Sequence, residues 1–309
     1  MSRTPTTPYR YVTADVFTDR MFLGNPVAVV LDAVGLSAAQ MQAIAREFNY
    51  TETTFVLPPY NPAHAAAVRI FTPSREVPFA GHPNIGTAFI LAREAAARGE
   101  VLDRMVFEED AGLVAISLLR DGGEVSGAEL ASPEPLSRRA QVPAEQAAAC
   151  LSLAAGDLCS AVHRPQVISV GLPFLVVELA TREALRRAKP DRAAFDAVLP
   201  LDGATAVYAY TRDGCPDEAA CDLQARMFTP RMTEDPATGS ATAATAALLA
   251  ELADGGAGLT LRVGQGVDMG RSSVLLARVN RQDKAEATAY VGGQCVSVME
   301  GVLRVANQP

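Results

Sequence analysis

Two short segments, separated by about half of the 309-residue chain, carry the side chains best suited to acid/base chemistry. Residues 82–88 read HPNIGTA and residues 235–241 read DPATGSA. This alignment places His82 and Asp235 at matching positions of a repeated segment, so that one copy carries a histidine and the other a carboxylate. Because both side chains transfer protons, the pair predicts an acid/base site, although each residue alone is more typical of a structural role or a helix cap.

The same segments predict two helix starts. Pro83 and Pro236 are expected at the first helical positions, where a missing N–H is tolerated, and Gly86 and Gly239 then fall in the first turns. A glycine inside a helix costs about 1 kcal/mol relative to alanine, which suggests that a ligand approaches the backbone there. A helix N-terminus binds anions through its free N–H groups and its dipole. We therefore predict a small anionic substrate, such as a carboxylate.

Glu52 is the third candidate for chemistry. It lies in residues 49–56, NYTETTFV, at the start of a predicted strand that follows a predicted helix. That helix is expected to begin at Ser37, because Ser37 and Gln40 match a capping box. A carboxylate that enters a core strand must be paired, exposed or functional, so Glu52 is a candidate general base.

Two further matches indicate that the chain is a duplication. Residues 69–73 read RIFTP and residues 226–230 read RMFTP, and a weaker match joins residues 24–30 to residues 171–177. Predicted strands outnumber helices and come in runs, which is typical of curved mixed sheets rather than of a doubly wound parallel sheet. The expected fold is α/β of the α+β type, with two similar domains that divide near a Pro-rich segment at residues 132–135.

Composition excludes some classes of function. Lys and Arg total 27 against 35 Asp and Glu, a net charge of −8, which argues against a nucleic-acid-binding surface. The sequence shows no signal peptide, no apolar run long enough to cross a bilayer, no CxxC pair among its five cysteines, no clustered histidines and no GxGxxG motif. We expect a cytoplasmic protein with reduced thiols that uses no metal and binds neither membrane nor nucleic acid.

The chain resembles the PhzF-like isomerases of phenazine biosynthesis, a branch of the diaminopimelate-epimerase fold. The resemblance covers nearly the whole chain. Three residues depart from the usual pattern of the family: Thr51 often is Ser there, Asn84 often is Thr, and Ser272 often is Pro. The motifs that carry the resemblance are DVFT at 15–18, GNP at 24–26, TETTFV at 51–56, FAGHP at 79–83, IGT at 85–87, EDPATGSA at 234–241 and QGVDMGR at 265–271.

The resemblance implies a set of structural expectations. Each domain would be a mixed sheet curled around a central helix, with the active site in the cleft between the domains. The first domain would span residues 1–131 together with a returning C-terminal strand at 294–309, and the second would span residues 132–293. Homodimers are common in the family, and neither a cofactor nor a metal is implied.

The resemblance also implies roles for individual residues. Glu52 matches the catalytic carboxylate that moves a proton between two carbons of the substrate. His82 and Asp235 match assisting polar residues. Asn84 departs from the family close to the cleft and is expected to affect substrate choice. The residues that match contacts to the substrate are Gly81, Gly239 and Ser240.

Three functions remain open at this point. The leading hypothesis is an isomerase that moves a proton between carbons of a small carboxylate-bearing substrate through Glu52. The alternatives are an epimerase or racemase of an amino-acid derivative, and a small-anion-binding protein that has lost turnover. Related epimerases use one cysteine from each domain as acid and base. Since neither repeated segment contains a cysteine, a two-thiol mechanism is disfavoured.

Overall fold

The computed structural model describes residues 6–214, 221–253, 258–280 and 287–306. The chain divides into two compact units. Unit 1 comprises residues 1–130 and 293–309, and unit 2 comprises residues 131–292. Within the described ranges, none of the helices combines the length and the apolar character that crossing a bilayer requires.

Unit 1 consists of a mixed sheet and two helices. The helices are α1 (Ala38–Phe48) and α2 (Gly81–Ala97). The strands are β1 (Thr6–Val16), β2 (Asn25–Val30), β3 (Glu52–Leu57), β4 (Ala66–Phe71), β5 (Glu76–Val77), β6 (Arg104–Glu109), β7 (Gly112–Asp121) and β8 (Glu124–Ala131).

Unit 2 has the same kinds of element. Its helices are α3 (Ala144–Cys150), α4 (Arg182–Arg187), α5 (Arg192–Val198) and α6 (Gly239–Leu252), with 3-10 turns at Ala155–Asp157 and Val267–Met269. The strands are β9 (Ser137–Gln141), β10 (Gln166–Ser169), β11 (Pro173–Glu178), β12 (Val207–Thr211), β13 (Leu223–Phe228), β14 (Glu234–Asp235), β15 (Leu259–Gln265) and β16 (Ser273–Asn280). The last strand, β17 (Thr288–Ala306), begins in unit 2 and continues into unit 1.

The strand order of unit 1 surrounds one apolar helix. β1 and β2 are antiparallel, β2 and β3 parallel, β3 and β4 antiparallel, β4 and β6 parallel, and β6, β7 and β8 antiparallel in succession. β17 pairs with the free edge of β1 and also with β8. Helix α2 lies against β1, β2, β3 and β7, and it is buried on most of its circumference. A helix that is apolar on all sides belongs in a core.

Unit 2 repeats this order of pairings. β10 and β11 are antiparallel, β11 and β12 parallel, β12 and β13 antiparallel, β13 and β15 parallel, and β15, β16 and the first part of β17 antiparallel in succession. Helix α6 is buried and lies against β10, β11, β15 and β16. The expected fold, with two similar units that each curl a mixed sheet around a helix, is confirmed.

The pairings also correct the alignment of the two repeats. Phe71 pairs with Glu76 in unit 1, and Phe228 pairs with Glu234 in unit 2. Each central helix begins five residues after that glutamate, at Gly81 and at Gly239. The structural counterpart of His82 is therefore Ser240, and the counterpart of Asp235 is Val77.

The predicted match of His82 with Asp235 is thus wrong, as are the predicted helix starts at the two prolines. Pro83 lies inside α2, whereas Pro236 precedes α6 by three residues and corresponds to Pro78. The dipeptides His82-Pro83 and Asp235-Pro236 look like copies in the sequence, but they occupy different structural positions. Packing explains why residue 86 is glycine, because a Cβ there would lie 2.5 Å from Cγ1 of Val27. The group that approaches this backbone closely is therefore β2 and not a ligand.

The cysteines depart from the expectation of reduced thiols. Cys150, Cys159 and Cys295 are free, but Cys221 is disulfide-bonded, so the expectation is wrong for Cys221. Cys215 lies outside the described residues. A search for CxxC pairs detects only cysteines that are separated by two residues, which is why the sequence does not single out Cys221.

Candidate active site

Glu52 is the first residue of β3, beside Val27 of β2 in the parallel ladder. The strand continues into four buried residues, while the Glu52 side chain keeps 19% of its surface exposed. The preceding Thr51 donates its hydroxyl proton to Oδ1 of Asn25 at 2.9 Å, which ties the start of β3 to β2. Glu52 therefore lies where a buried strand opens, as the sequence predicts.

His82, the second residue of α2, contacts Glu52. Nδ1 of His82 lies 3.3 Å from Oε2 of Glu52, and Nε2 lies 3.4 Å from the carbonyl oxygen of Pro26. Burial lowers the pKa of His82 to about 4. The imidazole is consequently neutral near pH 7 and has one N–H between two oxygen neighbours.

The start of α2 leaves room for a ligand. The residue that caps this helix is Ala80, which has no side chain able to accept from the first N–H groups. Apart from the chain neighbours of Gly81 and the backbone of its own helix, the described residues place no heavy atom within 4 Å of the position that a Cβ on Gly81 would take. The predicted contact residue Gly81 thus lies at an open helix N-terminus.

Asp235 lies in unit 2, in the two-residue strand that leads to α6, where its counterpart in unit 1 is Val77. The Thr238 hydroxyl donates to Oδ2 of Asp235 at 2.5 Å. The predicted contact residues Gly239 and Ser240 are the first two residues of α6. The structure therefore gathers Glu52, His82 and Gly81 within unit 1, and the other three predicted site residues within unit 2.

Gln265 is a site residue to which sequence reasoning assigns no role. Its fully buried side chain accepts from the backbone N–H of Thr238 at 3.1 Å. It donates to the Asp235 carbonyl at 2.9 Å and to the Thr238 hydroxyl at 3.0 Å. The family-like motif at 265–271 marks the segment, but only the fold shows that Gln265 clamps the residues between β14 and α6.

An arginine–glutamate pair anchors the two-residue strand before each central helix. Arg69 makes two hydrogen bonds to Glu76, and Arg226 makes two to Glu234. Each guanidinium also lies over the ring of the phenylalanine two residues later, 5.3 Å from the centroid in unit 1 and 4.8 Å in unit 2. The repeated word RxFTP encodes this anchor, because a bidentate pair requires arginine.

The described residues contain no cluster of three or more His, Cys, Asp and Glu side chains arranged to hold a metal ion. The predicted absence of a metal and of a cofactor stays a prediction.

Comparison with known proteins identifies the family. A family model described as phenazine biosynthesis-like protein matches residues 14–301. The chain belongs to this family.

Curated relatives of this phenazine biosynthesis-like chain include two isomerases that it matches over nearly their full length. An uncharacterized isomerase from Mesorhizobium japonicum is 40% identical, with 95% of this chain and 98% of the relative covered. A trans-2,3-dihydro-3-hydroxyanthranilate isomerase from Pseudomonas aeruginosa is 34% identical, with the same coverage. The expectation that the chain is an enzyme, and an isomerase at the level of general class, is confirmed.

Solved structures agree with this assignment. A PhzF-family protein from Bacillus anthracis superposes with a TM-score of 0.84 at 23% identity, with 96% of this chain and 99% of that chain covered. A predicted epimerase from Pseudomonas aeruginosa gives a TM-score of 0.76 at 33% identity, with the same coverage. A hydroxyproline epimerase from Agrobacterium vitis shares the fold alone, at 0.59 and 14%, with 99% of this chain and 94% of that chain covered.

Proposed function

We propose that this isomerase moves a proton between two carbons of a small carboxylate-bearing substrate, with Glu52 as the group that carries the proton. The observation that supports this role most directly is the 3.3 Å separation between Oε2 of Glu52 and Nδ1 of a buried, neutral His82. A base must be positioned before its pKa matters, and this pair is positioned by a strand start and a helix start.

Glu52 both removes a proton from the substrate and delivers a proton to it. The carboxylate removes a proton from one carbon, and the electron pair of the C–H bond delocalises toward the neighbouring carboxylate or double bond. Glu52 is then a carboxylic acid. Because the Glu52 side chain is partly exposed, its carboxyl hydrogen exchanges with solvent before a proton is delivered to a second carbon. The reaction consumes no electron acceptor and no second base.

His82 is suited to the intermediate in which Glu52 holds the proton. When the single N–H of His82 is on Nε2, it faces the Pro26 carbonyl, and Nδ1 is an acceptor that faces Glu52. A protonated Glu52 can donate to that acceptor, while an ionised Glu52 favours the tautomer with hydrogen on Nδ1. His82 thereby serves both states of the carboxyl without becoming charged.

The start of α2 supplies stabilisation for negative charge that develops on the substrate. Its first N–H groups have no side-chain cap, and the space beside Gly81 is open. Backbone N–H groups that are already oriented stabilise an enolate-like charge without reorganisation. The assisting role of Asp235, the contact roles of Gly239 and Ser240, the anionic substrate and the homodimer remain parts of this proposal with their own tests.

Solvent exchange in deuterated water tests the proposal. We expect deuterium at the carbon that receives the proton when the enzyme is incubated with trans-2,3-dihydro-3-hydroxyanthranilate, the compound named for the 34% identical relative, or with another small carboxylate from a library. Glu52→Gln should remove turnover and exchange together. Glu47→Gln, which changes an exposed glutamate on α1, is the matched control. Full turnover in a folded Glu52→Gln enzyme would contradict the assignment.

Epimerisation is the second candidate, because one of the similar solved structures, 33% identical, is described as a predicted epimerase. In that reaction the proton returns to the same carbon from the opposite face. Chiral chromatography of the product distinguishes inversion at one carbon from a double-bond shift. Ligand-induced thermal stabilisation across the library, without any deuterium uptake, would instead support the binding-only alternative. Sedimentation measures whether the enzyme is a homodimer.

A further inference from the structure

A buried polar pair in unit 1 takes no part in the chemistry described above. Glu109 ends β6, and Asn84 lies in the first turn of α2 with no exposed surface. Both carboxyl oxygens of Glu109 and both polar amide atoms of Asn84 are buried, and none of the four forms a hydrogen bond of good geometry in the part of the chain that the structure describes. The Asn84 side chain is nevertheless close enough to Glu109 to act on its carboxyl group. Buried polar atoms without partners are rare in native proteins, so this pair requires an explanation.

The neighbouring glutamate on the same strand, Glu108, shows the hydrogen-bond donors that surround an ionised carboxylate in this unit. Glu108 accepts from the backbone N–H groups of Tyr60 and Asn61, at 2.6 and 2.8 Å, and lies 2.7 Å from Nδ1 of His64. Among the described residues, no backbone N–H or imidazole donates to Glu109 in this way. The two side chains point to opposite faces of β6, and only Glu108 is placed for a negative charge.

The duplication identifies the counterpart of Glu109. In unit 1, Ala66 of β4 pairs with Phe107 of β6. In unit 2, the equivalent residues Leu223 and Val263 pair in the same way. Counting two residues further along the second strand of each pair gives Glu109 in unit 1 and Gln265 in unit 2. Both residues also end their strands, since Glu109 pairs with Gly112 and Gln265 with Ser273 at the next turn.

Gln265 shows what this position does. Its amide joins the two-residue strand to the helix by donating to the Asp235 carbonyl and accepting from the Thr238 N–H. Those bonds need a neutral group that donates from one atom and accepts at another. A carboxylate only accepts, whereas a protonated carboxyl does both.

We propose that Glu109 is a positioning residue that the fold holds as a neutral carboxylic acid, so that it supports the start of α2 as the Gln265 amide supports the start of α6. In this form its O–H can donate to Oδ1 of Asn84, and its carbonyl oxygen can accept from Nδ2 of Asn84. All four unpaired atoms then have complementary partners. Ionisation removes the donor and leaves the Asn84 oxygen without one.

The charges around Glu109 agree with this protonation state. Burial, opposed by the Asn84 amide and assisted by the negative charge of the adjacent Asp110, raises the pKa of Glu109 to about 8. The strand β7 offers Gly112 opposite Glu109. On the neighbouring strands, the charge of Arg69 is held by Glu76, and on α2 the imidazole of His82 is neutral near pH 7.

The consequence for the site follows from the position of Asn84, two residues after His82 in the first turn of α2. A polar pair that fixes Asn84 also fixes the turn that carries His82 and Gly81. This link to activity rests on the proposed function of Glu52 and His82. The protonation state of Glu109 does not rest on it and is tested without any substrate.

Stability as a function of pH is the direct test. An unfolded glutamate titrates near 4.5, and Glu109 in the folded protein titrates near 8. Between these values the folded state binds one more proton than the unfolded state, so stability falls as the pH rises and levels off above pH 8. The difference in unfolding free energy between wild type and Glu109→Gln should change steadily from pH 5 to pH 8 in favour of the variant. Glu124→Gln, on an exposed hairpin, reports the effect of removing one surface carboxylate.

Activity supplies the second readout. We expect the kcat of the wild type to decline above pH 8. Glu109→Gln should retain kcat at pH 7 within about twofold and should lack this decline. Glu109→Ala should lower kcat by about tenfold, as expected when a supporting contact is lost. A stability difference between wild type and Glu109→Gln that does not vary from pH 5 to pH 9 would overturn the proposal, whatever the substrate. A Glu109→Gln enzyme as impaired as Glu109→Ala would overturn the positioning role.

Discussion

The Thr238 hydroxyl holds Oδ2 of Asp235 through a 2.5 Å hydrogen bond. Thr238 is itself fixed by Gln265, which bonds both its backbone N–H and its hydroxyl. These three residues form a network within unit 2 that contributes to the orientation of Asp235, and the network can be changed one member at a time.

Replacing Thr238 by Val should lower kcat by about tenfold with a smaller change in KM, because Asp235 loses the contact that orients it. Thr238→Ser keeps the hydroxyl and should restore most of the activity. Thr233→Val, which removes a hydroxyl from an exposed turn that contacts Thr229, is the control. Steady-state kinetics on the same substrate as above measure the effect, and equal kcat for the Val and Ser variants would contradict it.

Gln265→Glu should create in unit 2 the ionisable group that Glu109 is in unit 1. An ionised carboxylate cannot donate to the Asp235 carbonyl, so we expect a loss of stability that grows as the pH rises. Thermal unfolding from pH 5 to pH 9 measures it. A variant whose melting temperature tracks the wild type across this range would show that the donor at position 265 is dispensable.

His82 makes stability depend on pH in the acid range. Its pKa is lowered from 6.5 to about 4 by burial, so the unfolded chain binds the proton more tightly than the folded chain. The stability associated with neutral His82 is present above pH 6.5 and is lost as the pH falls toward 4, by about 3 kcal/mol in total. Denaturant titrations of wild type and His82→Gln should diverge in this window. Parallel curves would indicate that His82 is not buried as a neutral group.

Replacing each of two glycines near the start of α2 by alanine should have different effects on stability and on KM. A Cβ at Gly86 would lie 2.5 Å from Cγ1 of Val27 and 2.9 Å from Cγ2 of Val16, so Gly86→Ala should destabilise the protein by about 1–3 kcal/mol through overpacking. A Cβ at Gly81 would meet none of the described residues within 4 Å, apart from its chain neighbours and the backbone of its own helix. Gly81→Ala should leave stability unchanged and raise KM by narrowing the space for the substrate. Unfolding and kinetics together measure both effects, and the reverse assignment of effects would refute the proposed contact at Gly81.

The two arginine anchors should differ in strength. The Arg226–Glu234 side chains are 12% and 11% exposed, against 32% and 29% for Arg69–Glu76. Arg226 also donates to three backbone carbonyls at the end of α4. Breaking a buried pair leaves an uncompensated charge and costs about 3–5 kcal/mol, so Arg226→Ala should destabilise the protein more than Arg69→Ala. Denaturant unfolding measures the order, and Arg69→Lys and Arg226→Lys are the conservative controls.

Much of the fold is readable from local patterns. The Ser37 and Gln40 side chains form the capping box that their spacing predicts. The repeated RxFTP word marks equivalent strands in both units, because a bidentate arginine and the ring beneath it require the same residue types at the same spacing. Glu52 lies at the strand start that the preceding helix predicts. These features depend on residues a few positions apart.

Local sequence patterns do not predict features that depend on the register between distant segments. The proline words suggest that His82 matches Asp235, but the hairpin pairings match His82 with Ser240, because the helix begins before Pro83 and after Pro236. The correspondence of Glu109 with Gln265 comes from two parallel ladders whose strands are about 40 residues apart in the chain. No shared sequence motif aligns Glu109 with Gln265. Only the strand pairing reveals that one copy carries an acid where the other carries an amide.

The long strand β17 has a consequence for how the protein is made. Its first residues pair with β16 in unit 2, and residues from Cys295 onward pair with β1 of unit 1. During synthesis, residues 1–130 leave the ribosome with one edge of β1 unpaired, and that edge is covered only when β17 emerges. An unpaired edge strand is a site of aggregation, so expression of residues 1–130 alone should yield insoluble protein. A circular permutant that joins residues 293–309 to the N-terminus of this fragment through a short linker should be soluble.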